Sequence, residues 1–469
     1  YSDYLLGKKL FLDRPPRWSE GALDFFRSAT ELDPDFAPPY AYLAIIHGIF
    51  GAEGEELSEF EASTQTALEL DSGLAEAWVA QGLLRRHRDD DIESSVDALR
   101  RAIEIDPTLS VAYNLLGNAL DDLGRITEAH KLRLEALERD PLNPVLMVNV
   151  ALNLADRGDF AKGERMMLRI MQLPQPPQFA YRWLKQLYLR SGRIDEYLKW
   201  SRIAVRIYFD NFEDYDLHRL VGYFSNLANG YMTLGMQENA EYWMAQALSV
   251  YPDNPYKRFW QTEFCAWQGD LDCVRQMLQD IENSRVDKAE LSDREFRRAV
   301  GEWQVLVGEY SKSVASLSQV FDLNALEKYE SDPPDLLHSL AFACERSGQQ
   351  ETATQILDAI SPGLQAKFES HGFRIGAFLT TLALNRWQRG ERDGAIDAMQ
   401  MSIDSGWIDT HGVRHDPVAR ELLVAPKLQE DLARVEREIQ RQRRSIEGLN
   451  AESEFREEVR AALAAIPRS

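Results

Sequence analysis

Apolar residues recur along this chain at spacings of three and four, in stretches separated by glycine. From Leu109 onward, Tyr113, Leu116, Gly117 and Leu120 fall on one face of a predicted helix. Gly124 interrupts that helix and permits a left-handed C-terminal cap. Ala129, Leu132 and Ala136 then line a second helix, which Pro141 ends. Phe224, Leu227, Ala228, Tyr231, Gly235, Ala240, Met244, Ala247 and Pro252 repeat the frame, as do Met147, Val150, Ala151, Leu154 and Gly158. The interrupting glycines are Gly124, Gly158, Gly192, Gly235, Gly269, Gly308, Gly348 and Gly390, at intervals of 34, 34, 43, 34, 39, 40 and 42. Five positions after each comes a mostly small residue: Ala129, Gly163, Tyr197, Ala240, Val274, Ser313, Ala353 and Ala395. Proline closes units at Glu31–Pro34, Glu104–Pro107, Glu138–Pro141 and Ser249–Pro252. A recurring interval of 34 with such punctuation predicts stacked helix pairs, each covering the next one's apolar face.

These residues resemble the tetratricopeptide repeat, whose pattern runs aromatic, Leu-Gly, Tyr, Ala, Phe, Ala and Pro. The resemblance covers roughly residues 1 to 405 and is strongest at 109–141 and 221–252. It implies an all-α, right-handed superhelical solenoid of about eleven helix pairs. The expected organisation is an N-terminal array over 1–173, a more degenerate array over 174–405, and C-terminal turn and capping helices over 406–469. Insertions are expected around Gly51–Leu57 and His87–Ser94. In the last segment Leu428, Leu432, Val435 and Ile439 form a heptad stripe that continues through Gln442 and Ile446 to Leu449. Two readings stay open for it, a cap on the last repeat and a self-association surface that would make a homodimer.

Composition narrows the function classes. With 53 basic and 76 acidic side chains the formal charge is −23, which argues against binding to nucleic acid or anionic lipid. No apolar run is long enough to insert into a bilayer. Cys265, Cys273 and Cys344 have no metal-ligand spacing; the first two can meet from adjacent helices, although free buried thiols are the expected state. Asp409, His411, His415 and Asp416 sit in a Gly- and Pro-broken turn, so no metal is assigned to them, and no cofactor is expected. The acidic run at 89–91 reads as a helix N-terminus rather than a calcium loop. No catalytic motif appears, and the tryptophans fit helix packing. A non-enzymatic role follows.

The remaining chemistry lies on the first helix of each pair, opposite its packing face. That face carries Asn114, Asn118, Asn149, Asn153, Arg182, Gln186, Arg190, Asn226 and Asn229. Amides can hydrogen-bond an extended peptide backbone, and Arg182 and Arg190 can hold a partner's acidic groups. Tetratricopeptide domains that clamp a chaperone's C-terminal carboxylate also need basic residues where this chain has Asn114, Phe179 and Trp183, so that clamp is not expected. The opening "YLLGKKLFLDR" and the closing "SGWIDTHGVRHDPVARELL" resemble the ends of repeat arrays in bacterial signalling proteins, behind a winged-helix or nucleotide-cyclase domain. This resemblance implies a sensing or recruiting module with an output domain before Tyr1. It leaves the compartment open between cytoplasm and periplasm.

Overall fold

The structure is a computed structural model. It describes residues 1–13, 18–89, 91–173, 176–211, 217–250, 257–283, 294–326, 336–369, 372–408, 416–447 and 451–465. Among them are α-helices and a short 3₁₀ turn, and no strand. The first ten helices are α1 Ser2–Asp13, α2 Trp18–Leu32, α3 Ala37–Phe50, α4 Gly54–Leu70, α5 Ala75–Asp89, α6 Ile92–Ile105, α7 Ser110–Asp122, α8 Ile126–Arg139, α9 Pro144–Asp156 and α10 Phe160–Met171. Then come α11 Gln178–Arg190, α12 Ile194–Asn211, α13 Leu217–Thr233, α14 Gln237–Val250, α15 Lys257–Gln268, α16 Leu271–Glu282, α17 Arg294–Val307, α18 Tyr310–Leu317, α19 Leu337–Arg346, α20 Gln350–Glu369, α21 Gly376–Gln388 and α22 Arg392–Asp404. These twenty-two helices follow one another as eleven pairs, the array the repeat spacing predicts. Three more follow among the described residues: α23 Pro417–Leu423, α24 Gln429–Glu447 and α25 Ala451–Ala465.

The eight turn glycines share one geometry. At Gly124, φ is 71°, the Gly124 N–H donates to the Asp121 carbonyl, and Arg125 N–H donates to Leu120 at 2.7 Å. These bonds satisfy carbonyls that the end of α7 would otherwise leave open, and a side chain at this φ would be strained. The same bond, from the residue after the glycine to the fourth residue before it, recurs at the other seven turns. The small residues that follow are buried: Ala129, Ala240, Val274, Ser313 and Ala395 show no exposed surface. One close approach differs from a simple backbone contact. A Cβ on Gly117 would lie 2.8 Å from the Arg133 guanidinium, so this glycine makes room for a buried cation. The expected insertions become longer helices. Gly51 ends α3, and Asp91 caps α6 by accepting from Ser94 N–H at 3.0 Å.

The chain divides into two compact units, 1–155 with 159–184, and 156–158 with 185–469. In the first, an apolar core runs from Tyr4, Phe11 and Phe26 through Tyr42, Phe60 and Leu99 to Leu116 and Ala129. In the second, one cluster gathers Val274, Leu278, Phe296, Val300 and Trp303. The terminal helices pack within the second unit. Leu428, Val435 and Ile439 are buried in the chain itself, and Leu432 is half-buried. Gln442 donates to the Gly192 carbonyl at 2.8 Å and accepts from Asp195 N–H at 3.1 Å. Three of the four heptad side chains are thus covered by the chain itself and Leu432 in part; Leu449 lies outside the described residues. On α25, Glu452 accepts from the Trp243 indole at 2.8 Å and from Arg202 at 2.7 Å, and Phe455 packs on Trp243.

The cysteine expectation is corrected. Cys265 on α15 and Cys273 on α16 form a disulfide across the Gly269 turn, while Cys344 is free and buried. Among the described residues, Cys265, Asp270 and Cys273 bring ligand-type atoms within 4.8 Å of one another. The sulfurs are bonded to each other, however, and Asp270 caps α16 by accepting from Cys273 N–H. Of the turn residues weighed for a metal, Asp409, His411 and His415 lie outside the described residues. No helix among the described residues is long and apolar enough to cross a membrane.

Candidate functional site

Each turn glycine fixes the register of the helix before it, so positions can be compared between pairs. Ten residues before the glycine stand Asn114, Arg182, Ser225, Phe259, Arg298 and His338; six before stand Asn118, Gln186, Asn229, Glu263 and Glu302. Of the predicted groove residues, Asn114, Asn118, Arg182, Gln186 and Asn229 fall in these rows, while Asn149, Asn153, Arg190 and Asn226 stand at other offsets. The structure distributes them over both units and gives them unequal freedom.

In the first unit the amides are largely committed to the fold. Asn149 donates to the side-chain oxygen of Asn114. Asn118 accepts from Arg133 at 2.9 Å, and Arg133 also pairs with Asp121 at 2.6 Å. Asn153 is buried, and its side-chain oxygen has no partner. Arg182 lies over the Trp183 ring, 4.9 Å from its centroid. A small cavity of about 100 Å³ beside Asn114 is walled by Phe11, Tyr42, Asn143 and Phe179. In the second unit Arg190 pairs with Asp156. Gln186 and Asn226 are half-buried, and Asn226 receives the Tyr197 hydroxyl on its backbone carbonyl at 3.1 Å.

Asn229 opens onto a cavity of about 470 Å³. Ser225 and Asn229 of α13 border it, with Phe259, Trp260, Glu263, Phe264 and Trp267 of α15, Glu302 and Trp303 of α17, Ser339 of α19 and Asp416 before α23. Glu263 accepts from the Trp303 indole at 2.8 Å and otherwise faces the open space. Glu302 makes no hydrogen bond among the described residues. Burial, then the charges of Glu263 and Asp416, push its carboxyl up to about 7, against the opposing pull of Arg298 and His338. Burial also raises Glu263, partly offset by the Trp303 bond. Burial would raise Asp416 too, but the His338 imidazole at 3.5 Å and the N–H groups of Ala419 and Val418 hold it below the usual carboxylate range. The Ser225 hydroxyl is buried without a partner.

This cavity is where reading the sequence stopped short. Glu263 and Glu302 occupy the position of Asn118 and Asn229, so carrying the glycine register past Gly235 finds both. Trp260 and Trp267 line the space, Trp303 is a buried part of its wall, and Trp243 is core.

Comparison with known proteins agrees with the repeat. Residues 98–131 match the tetratricopeptide repeat model. No curated protein matches the sequence. Similar solved structures include human IFIT1, determined as a dimer with m7Gppp-AAAA, at 12% identity over 90% of this chain and 91% of that one, with a TM-score of 0.41. PilF of Pseudomonas aeruginosa is 15% identical over 48% of this chain and 97% of its own, with a TM-score of 0.35. YrrB, described as a TPR protein with an unusual peptide-binding site, is 17% identical over 49% and 93%, with a TM-score of 0.24. At these identities and scores none of the three lends this chain its function.

Proposed function

We propose that this tetratricopeptide-type array is a non-enzymatic interaction module, binding an extended segment of a partner protein along the first helices of its pairs. The observation that supports this reading most is the cavity of about 470 Å³, bordered by α13, α15, α17 and α19, the first helices of four consecutive pairs. A surface held by stacked helices is preformed, so binding orders mainly the incoming segment and loses less free energy to immobilisation. Asn229 and Ser225 supply polar groups at the rim, and the aromatic rings supply contact area.

Panning a displayed peptide library against the whole chain, with a photocrosslinking residue at position 229, tests the proposal. Enriched sequences that crosslink to α13, α15 or α17 are the expected result. Enrichment of nothing, or crosslinks elsewhere, would overturn it.

The finer reading is recruitment on behalf of a bacterial signalling or transcription-regulatory protein. It rests on the terminal segments, and the gene sequence upstream of Tyr1 tests it. Arg190 is engaged by Asp156, so an acidic partner group is supported by Arg182. The self-associating scaffold has less behind it, since three of its four heptad residues are buried; the mass of the chain in solution decides that point.

A further inference from the structure

The acidic, aromatic cavity of the second unit selects a charge. We infer that it is a binding site for an organic cation, the ammonium or guanidinium group of a lysine or arginine side chain in the bound segment. In that form the inference rests on the peptide-binding reading above, although a free alkylamine carries the same chemistry. Three carboxylates, Glu263, Glu302 and Asp416, border a space that Trp260, Trp267 and Phe264 wall with rings. Arg298 and His338 oppose them, so once Glu302 is ionised three carboxylates face two basic side chains. His338 is already engaged with Asp416. Glu302 has no hydrogen-bond donor among the described residues, and the buried Ser225 hydroxyl at the wall has no partner either.

A half-buried carboxylate without a donor is costly to ionise, and a cation entering the space reduces that cost. Ring faces add attraction for a desolvated cation, most strongly from tryptophan. Phosphates and carboxylates are repelled by the same field. The volume suits one long side chain rather than a folded element.

The groups facing Glu302 are Glu263 from α15, Arg298 from α17, His338 from α19 and Asp416 before α23. Raising the pH from 6 to 8 ionises Glu302. Cation binding therefore strengthens with pH, by up to about tenfold over that interval.

The test titrates the whole chain with n-butylguanidinium, n-butylammonium and n-butanol, following tryptophan fluorescence and heat. In parallel it uses a capped Ala-Ala-Lys-Ala-Ala peptide and its norleucine counterpart. Both cations should bind, the alcohol should not, and Glu302→Gln should weaken the cations about tenfold or more while the helical signal stays unchanged. Glu263→Gln, which keeps an acceptor for Trp303, should do the same. Butanol binding as well as the cations, or Glu302→Gln leaving cation affinity and its pH dependence intact, would overturn the inference. Free cations that bind while the lysine peptide does not would uphold the cavity's charge preference and remove the peptide as its source. A norleucine peptide that binds equally, unaffected by Glu302→Gln, would uphold the groove and remove the cation site.

Discussion

The two units use the same turn and helix pair but treat the polar groups of their first helices in opposite ways. In the first, polar side chains find one another. Arg133 sits between Asn118 and Asp121, Asn149 meets Asn114, and Asn143 ties its own turn to Ser110 at 3.0 Å. The space left beside them is small. In the second, positions in the same register carry Glu263 and Glu302, and bulky rings stand around them. The repeat frame is kept by the turn glycines, but the interior is not closed; a cavity and an unpaired carboxyl remain. The lesson is that the glycine turn and the small residue after it specify the fold, while the first helix's free face is left open to serve stability or binding.

Four measurements would break or sharpen that contrast. The largest effect is expected at Trp243→Ala. This side chain is fully buried, packs on Phe455 and donates to Glu452, so its loss should destabilise the second unit by about 3–5 kcal/mol. Protease cleavage before α25 should rise in parallel with the shift in the denaturant midpoint. Unchanged protection of α25 would mean that Trp243 does not hold that helix.

Next comes Glu302→Gln. The native carboxyl holds its proton up to about pH 7, whereas in the unfolded chain it loses it near the ordinary glutamate value. Between those two points the folded state binds the extra proton, so stability falls as pH rises. Below the lower point the effect is absent. At pH 8 the glutamine variant should therefore be more stable, by on the order of 3 kcal/mol, with no gain at pH 4. Denaturant titrations at the two pH values check this, and equal midpoints for parent and variant at pH 8 would show that Glu302 ionises at little cost.

A smaller loss is expected for Gln442→Ala. It strips partners from the Gly192 carbonyl and Asp195 N–H and should cost about 1–3 kcal/mol, read from the same titrations. The smallest is Asn149→Ala. It leaves the Asn114 amide a route to water at the half-buried surface and should cost about 1 kcal/mol or less. If Asn149→Ala proved as damaging as Gln442→Ala, the amide pair would be a structural necessity, and the first unit would have little polar surface to offer a peptide.

Much of this fold is legible because its punctuation is steric. A glycine with positive φ and a small residue five positions later admit few replacements, so they stay visible where the closing prolines do not. Pro252 is the last proline in that role, and the glycines carry the frame on to Gly390. Side-chain partnerships are less legible. Whether Asn114 meets a peptide or Asn149 depends on the distance between neighbouring pairs, which composition does not encode. Pairing of Cys265 with Cys273 likewise depends on how tightly the Gly269 turn brings α15 against α16, with their Cα atoms 6.0 Å apart. The acidic cavity was within reach of the sequence, since Glu263 and Glu302 keep the register of Asn229; what hid it is that carboxylates on a helix usually face water.

The latch made by Gln442 also bears on synthesis. Its two partners, Gly192 and Asp195, are separated from it by about 250 residues of chain. As the polypeptide leaves the ribosome, the turn before α12 must wait for about 250 further residues before its backbone groups are met by Gln442. The second unit thus reaches its final form only after α24 has been made, and a nascent chain stalled before α24 would present the apolar ground that Val435 and Ile439 cover to whatever chaperone is at hand.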